Sequence, residues 1–527
     1  MGAVEKLIAS IRTVLDFLLL HIANLFYPTK KSCLPPIKES VLMEPAVVIA
    51  DKIRNGKLKA VDVVRAYIKR IEEVNPLINA VVKLNDAAID EAKEIDEKVE
   101  LELRGYVPEG GISIINLPLL GIPFCCKETV GVKGMPFTAG LVARAGEVAS
   151  EDAPVIRNLK ANGAIFIGVT NIPELQYWWV SDNKLYGRTN NPYDLSRIPG
   201  GSSGGEGAIV SSAGTAIGVG TDIAGSLRIP AACCGIFGHH VSPSVFPAEG
   251  MVPLIDRGAL TARMFSFGPM CRYSIDIKPM LKAMAGSYIS KLPKIDDLVD
   301  LKKLKIYYMI EDGDPIKTPV QHEIKDAINK IVSHFEDKYS VKAEKVHFEK
   351  MKRAFFMVLA TMKEANAPRL ASVLNNGSEI NVIYELLKCL LRCSEHMLGT
   401  LSFAATEKYF PSKETQFTQN FLKVRDELKK QFYELLGEDG IFLYPSHPEG
   451  APKHGTSVLK SPNVGYTSIF NVLSVPVTTC PVGLNGDGLP IGVQVVAKQF
   501  NDHLTIAVAQ EIEKLFGGWV PPCIVDC

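Results

Sequence analysis

The 527-residue chain lacks an excess of charge of either sign. Its 58 lysines and arginines balance 58 aspartates and glutamates, for a formal net charge of zero. Composition therefore supplies no basic surface for nucleic acid, and no nucleic-acid partner is expected. A break in composition is also missing: with 47% hydrophobic and 22% charged residues, the chain reads as ordinary globular protein. No long linker divides it, so one large domain is expected rather than three or four. The 11 cysteines lack CxxC spacing, since Cys125-Cys126 and Cys233-Cys234 are adjacent pairs. That excludes the usual zinc and redox arrangements, even with His239 and His240 nearby, and leaves buried thiols in a reducing compartment. No metal or cofactor is expected. A phosphate loop is lacking too. Cys126 stands where the second glycine should precede Lys127, and the glycine-rich turn at Gly200 has no lysine.

What the chain does contain is concentrated between Gly200 and Ala231. Gly200-Gly201-Ser202-Ser203-Gly204-Gly205 is followed by a run of small and apolar residues, and then by Gly220-Thr221-Asp222-Ile223-Ala224-Gly225-Ser226-Leu227-Arg228-Ile229-Pro230-Ala231. Dense glycine marks tight turns or close backbone approach, and here each of the two glycine clusters presents a serine. The intervening small residues suit closely packed elements rather than flexible surface turns. Such an arrangement fits acyl transfer: one serine hydroxyl attacks, and backbone N–H groups around Ser226 bind the oxyanion.

A serine nucleophile needs a base. His239 and His240 are the only histidines near in sequence. Gly-Ser-Ser-Gly-Gly also fits a Gly-x-Ser-x-Gly elbow centred on Ser203, but the elbow needs a strand leading into it, and Asp194–Gly200 reads as loop. The other candidate is Lys127. It closes an apolar run from Leu117 to Cys126 that reads as a buried strand, although Pro118 and Pro123 cannot donate to a sheet ladder. Burial lowers a lysine pKa, which is how lysine becomes a general base.

These residues together resemble the amidase signature hydrolases. Their signature is the Gly-Gly-Ser-Ser-Gly-Gly turn and, about two dozen residues on, a Gly-x-Asp-x-(Gly/Ala)-Gly-Ser-x-Arg-x-Pro turn. Here Ser226 lies 24 residues after Ser202 and 99 after Lys127. The resemblance covers roughly residues 40–515 and includes Gly488-Leu489-Pro490-Ile491-Gly492-Val493-Gln494 near the C-terminus. It implies a triad with Ser226 as nucleophile, Ser202 bridging after a cis peptide at Gly201, and Lys127 as base. It further implies an oxyanion hole from the N–H groups of Ile223, Ala224, Gly225 and Ser226, and substrate contacts at Met135 and Ser203. Asp222 and Arg228 are read as a pair holding the turn. Ala224 stands where glycine is commoner, so a positive φ there would be strained.

The implied fold is α/β: one large domain with a twisted mixed β-sheet and helices on both faces. Residues 1–30 are expected to form a hydrophobic membrane-anchor helix, 31–45 a linker and 46–520 the catalytic domain. Leu7–Tyr27 is long enough to span a bilayer, and Arg12 and Asp16, one turn apart, can pair. Ile8, Ile11, Leu15, Leu18, Ile22 and Leu25 also fall on one stripe, which suits a helix lying in the membrane interface. Tyr177-Trp178-Trp179 and Leu386–Phe403 read first as core, the alternative being a substrate wall and a membrane-touching cap. The expected reaction is hydrolysis of carboxylic amides, and the anchor makes this chain most similar to family members that act on fatty-acid amides at a membrane. Other readings are a general amidase for small soluble amides, a tRNA amidotransferase-type subunit and an inactive relative. The partners implied are a small-molecule amide and a membrane or lipid surface; a homo-oligomer is compatible with the sequence.

Overall fold

The computed structural model describes residues 3–31, 34–106, 113–253, 263–365 and 368–527. Met1 and Gly2 of the expected anchor, and residues 32–33 of the linker, lie outside them.

In chain order the strands are β1 (Val81–Leu84), β2 (Pro123–Lys127), β3 (Ile165–Thr170), the short pair β4 (Asp182–Asn183) and β5 (Gly187–Arg188), β6 (Ile217–Asp222), β7 (Phe237–His240), β8 (Ser266–Cys271), β9 (Lys305–Tyr308), β10 (Ala343–Lys345), β11 (Gly440–Pro445), β12 (Val477–Leu484) and β13 (Pro490–Ala497). Among the described residues, all but β4 and β5 join one eleven-stranded sheet in the order β1-β3-β2-β6-β8-β7-β12-β13-β11-β9-β10. The sheet is mixed. β3, β2 and β6 run parallel, and β6 meets β8 antiparallel. Every residue of β2, β3, β6, β11 and β13 is buried. Such continuous apolar runs occur where both sheet faces are covered, and helices such as Gly204–Ser211 and Asp502–Phe516 pack against these strands. This is the mixed α/β architecture that the sequence implies.

Several boundaries differ from the sequence reading for local reasons. The strand expected from Leu117 begins only at Pro123, because Leu117–Ile122 turns around Pro118. Helix Ala60–Ile78 runs through Pro76, which costs a hydrogen bond only in its last turn. Leu386–Phe403 is not a buried pair. Helices Val382–Leu390 and Leu398–Tyr409 form, but Ile383, Tyr384, Leu387, Leu390 and Leu391 are exposed.

Helix Ala3–Phe26 is 24 residues long and contains an 18-residue stretch with a mean hydropathy of 1.5. Its amphipathicity is inverted relative to that of a helix on a soluble protein. The stripe turned to the body is Glu5, Ala9, Arg12, Asp16, Leu19 and Ala23. Leu7, Ile11, Val14, Phe17, Leu18, Ile22 and Leu25 face outward and are exposed. Arg12 and Asp16 pair at 3.4 Å above a cleft of mixed character, in which Arg197, Gln321, Glu449, Lys453 and Lys460 alternate with Pro319, Pro452 and Leu489. The C-terminal end is fastened by Lys453 Nζ, which donates to the Tyr27 carbonyl at 3.0 Å. The Arg188 guanidinium also lies over the Tyr27 ring.

The centre of the sheet is packed to contact. A Cβ on Gly218 in β6 would lie 2.1 Å from Glu206 Oε2 and 3.0 Å from Val210 Cγ2, both on helix Gly204–Ser211. Gly218→Ala should therefore lift that helix, at a stability cost of about 1–3 kcal/mol. It should reduce activity by more than the folded fraction accounts for, because the helix carries Ser202 and Ser203 at its start. Urea unfolding and specific activity on one preparation check this.

Candidate active site

Lys127 is the last residue of β2. Its neighbours β3 and β6 end at the same edge on Thr170 and Asp222, and the carboxyl edge of parallel strands is where α/β sheets bind ligands. The lysine is fully buried. Its Nζ lies 2.6 Å from Ser202 Oγ and 2.8 Å from Thr221 Oγ1, so it touches hydroxyls rather than a carboxylate. Burial pushes its pKa well below the ordinary lysine range, and the charges of Asp222 and Glu206 only partly oppose this.

Ser202 is delivered by a turn that tolerates no side chains. Gly200 has φ +85°, and a Cβ there would meet Pro230 Cα at 2.8 Å. A Cβ on Gly201 would meet the Trp179 carbonyl carbon at 2.7 Å. The peptide bond between Gly201 and Ser202 is cis. The next residue, Ser203, donates its N–H to the Ser226 carbonyl at 2.9 Å, which ties the two serine turns together.

Ser226 is half-buried and lines the same cavity as Gly201. Its turn is organised by Asp222. The carboxylate accepts from Gly225 N at 2.6 Å, Asn471 Nδ2 at 2.8 Å and Arg228 Nε at 2.9 Å. Arg228, also fully buried, reaches on to the Thr467 carbonyl and Gln494 Oε1. Burial would raise the Asp222 pKa. The charges of Arg228 and His240 and these hydrogen bonds outweigh it and hold the carboxyl well below the usual range.

Three details of the sequence reading change. The Gly225 N–H is spent on Asp222, and Gly225 does not line the cavity, whereas Ile223, Ala224 and Ser226 do. Met135 packs in the main core and Ser203 is fully buried, its hydroxyl and the backbone of Thr221 exchanging hydrogen bonds, so neither lines the cavity expected for substrate. Ala224 does not have the positive φ that would strain it; Gly225 does, at +114°. A Cβ on Gly225 would lie 1.9 Å from Thr467 Oγ1, which itself donates to the Ala224 carbonyl.

Both histidines lie buried in the sheet, away from the cavity. His239 bonds Thr478 and Asp502. His240 is buried beside Asp222, and burial pushes its pKa down to about 3.

The cavity above Ser226 has a volume of about 270 Å³. Tyr177, Trp178 and Trp179 form one wall, so the aromatic cluster read first as core faces the cavity. Phe355, Val358 and Leu359 form another, and Ser402, Phe403 and Thr406 of helix Leu398–Tyr409 a third. An amine whose pKa is lowered by burial, held against a serine hydroxyl beside a second serine and an apolar cavity, can move protons for acyl transfer.

Sequence reasoning missed four participants. Thr221 sits inside the signature, and its place before Asp222 is the signal that points to it. Gln176, Thr467 and Asn471 carry no local signal, because they arrive from other parts of the chain.

The arrangement at the carboxyl edge of the mixed α/β sheet has the parts an acyl-transfer site needs: a buried amine, two serines and an apolar cavity. The sequence profile of the family described as Amidase matches residues 62–506. Fatty-acid amide hydrolase 2 of Homo sapiens is 43% identical over 498 residues, covering 92% of each chain. Fatty-acid amide hydrolase 2-A of Danio rerio is 39% identical over 534 residues, covering 98% of each. A solved fatty acid amide hydrolase superposes with a TM-score of 0.71 at 23% identity, covering 93% of this chain and 87% of that one. The chain belongs to the amidase signature family and is an amide hydrolase.

Arg228→Met should strand the Asp222 carboxylate and destabilise the protein by about 3–5 kcal/mol. Because the Asp222 pKa is depressed on folding, the stability it contributes is present above the ordinary carboxylate range. It is lost as pH falls through the depressed value. Asp222→Asn should therefore show a weaker loss of stability on acidification than wild type, read by denaturant midpoints across pH.

Proposed function

We propose that the protein hydrolyses fatty-acid amides through Ser226, Ser202 and Lys127. The observation that carries this is the fully buried Lys127 amine 2.6 Å from Ser202 Oγ. Ser226 Oγ attacks the amide carbonyl while its proton passes to Ser202, whose own proton moves to the Lys127 lone pair. The N–H groups of Ile223, Ala224 and Ser226 receive the oxyanion. When the tetrahedral intermediate collapses, the C–N bond breaks and the proton on Lys127 returns through Ser202 to the leaving amine. Water then attacks the acyl-enzyme, with the same relay accepting its proton, and the acid is released.

The substrate class rests on two supports. The cavity walls are mainly apolar and aromatic, and the similar human and zebrafish chains are fatty-acid amide hydrolases by name. A lipid surface follows from the outward apolar face of helix Ala3–Phe26, joined by the exposed leucines of helix Val382–Leu390. In this reading residues 1–30 anchor the enzyme, 31–45 link, and 46–520 catalyse.

The mechanism makes Lys127 a base and then an acid. Ser226→Ala should abolish turnover. Lys127 accepts a proton only when neutral, so the wild-type rate should climb as pH rises through its lowered pKa. Lys127→Ala should lose that rise, and should harm amides more than matched esters, since an alkoxide leaves without help. pH–rate profiles on matched amide and ester substrates check both; an unchanged amide profile in Lys127→Ala would remove lysine from the mechanism.

Each methylene that enters the cavity should add up to about 0.8 kcal/mol of binding until the cavity is full. kcat/KM over a series of acyl lengths should rise and then level off, whereas equal values for acetyl and long-chain amides would overturn the lipid assignment. Deletion of residues 1–30 should shift the protein from the membrane to the soluble fraction while keeping activity on short amides.

A further inference from the structure

The second partner of Lys127 is fixed by a residue far from the signature. Thr221 Oγ1 has one proton, and it donates that proton to Gln176 Oε1 at 3.0 Å. The orientation of the Gln176 amide is set at its other end, where Nε2 donates to the Val252 carbonyl at 3.0 Å. A flipped amide would point oxygen at oxygen there. Facing a carbonyl, Thr221 can meet Lys127 Nζ only as an acceptor.

That direction matters to a neutral amine, which has two N–H donors and one lone pair. With one N–H given to Thr221, the lone pair is free for the Ser202 hydroxyl 2.6 Å away. Without the Gln176 acceptor, the Thr221 hydroxyl can rotate and give its own proton to the lysine lone pair, where it competes with Ser202.

The backbone supports a specific role for this turn. Leu175 and Gln176 are consecutive non-glycine residues with φ of +54° and +63°. Left-handed backbone is unfavourable for such residues and persists where the surroundings impose it. Here Leu175 N donates to the Ala139 carbonyl at 2.7 Å, and Gln176 N to that of Pro173 at 2.9 Å. The preceding residue, Glu174, pairs with His396 at 2.8 Å and accepts from Met397 N at 2.9 Å. The turn is therefore held from both sides.

We propose that Gln176 is a positioning residue for the base: its side-chain carbonyl polarises the chain Lys127–Thr221–Gln176 in one direction and so presents the Lys127 lone pair to Ser202. The inference rests on the reading of Lys127 as base. The charged groups acting on Lys127 are Asp222 from β6 and Glu206 from helix Gly204–Ser211. Gln176 adds an uncharged dipole to these, and its contribution is directional.

Two substitutions separate this role from a structural one. Gln176→Leu removes the acceptor and should lower kcat for amides on the order of 10- to 100-fold, with KM within about twofold. It also removes a dipole that favours the ammonium form, so the rising limb of the pH–rate profile should move to lower pH. Gln176→Glu places a stronger acceptor against Thr221 and should move the limb to higher pH; because it also loses the donor to the Val252 carbonyl, its folding is checked alongside that of the others. Thr221→Val should reproduce the kcat loss of Gln176→Leu, and it serves as the readout if the leucine variant fails to fold. Thermal unfolding of each variant controls for folding. Limbs that shift in opposite directions support the proposal. If both Gln176 variants keep the wild-type limb while Lys127→Ala loses it, the positioning role is wrong and the base reading stands. A change in KM alone assigns Gln176 to the substrate wall and also overturns the role. If Lys127→Ala keeps the limb, the base reading falls, and this inference with it.

Discussion

The protein depends on keeping one lysine dry. Lys127 has no solvent exposure, and its direct partners are hydroxyls, with Asp222 and Glu206 felt only through space. A carboxylate in contact would fix the ammonium form, while water would restore the ordinary lysine pKa. The site avoids both by placing the lysine at the end of a strand with parallel neighbours on either side. Glu206, packed under the same strands, is itself pushed up to about 8 by burial, so a second full negative charge is not forced on the lysine at neutral pH.

That arrangement needs rigid surroundings, and Asp222 supplies them. Its carboxylate joins the Ser226 turn to Arg228, and with it to Thr467, Asn471 and Gln494, more than two hundred residues later in sequence. Breaking the hub would release the turn and also uncover a buried charge, a far larger cost than losing a surface ion pair. The two serine turns are in turn joined through the backbone, from Ser203 N to the Ser226 carbonyl. Side-chain geometry at the centre is thus inherited from main-chain packing, and for that reason glycine is required at Gly200, Gly201 and Gly225, where a Cβ would strike neighbouring atoms.

Much of this was legible in the chain because it is local. The serine turns, the aspartate–arginine pair and the lysine at a strand end all lie within about a hundred residues of one another. The α/β architecture was legible chiefly through the family resemblance, which the apolar run into Lys127 supports. What stayed hidden is non-local. Whether Ser203 faced substrate depended on Thr221 turning its backbone toward it, and which amides face the cavity depended on Asp222 taking Gly225. Whether the Tyr177–Trp179 aromatics were core or wall depended on where helix Leu398–Tyr409 came to rest. Gln176 is the extreme case: nothing in its neighbourhood announces a left-handed turn, and its partner Thr221 comes from β6, 45 residues on.

The inverted amphipathicity of helix Ala3–Phe26 bears on how the protein can be modified. What lies under the helix is a mixed seat, in which Arg197, Gln321, Glu449, Lys453 and Lys460 stand among Pro319, Pro452 and Leu489. The helix residue Ala23 is buried, but none of the large apolar side chains of the helix is. In the proposed reading, attachment to lipid is therefore separable from the internal packing. A helix that contributes so little to the core can be lengthened, exchanged for another targeting segment or dispensed with, while the sheet, the buried lysine and the two serine turns remain as they are.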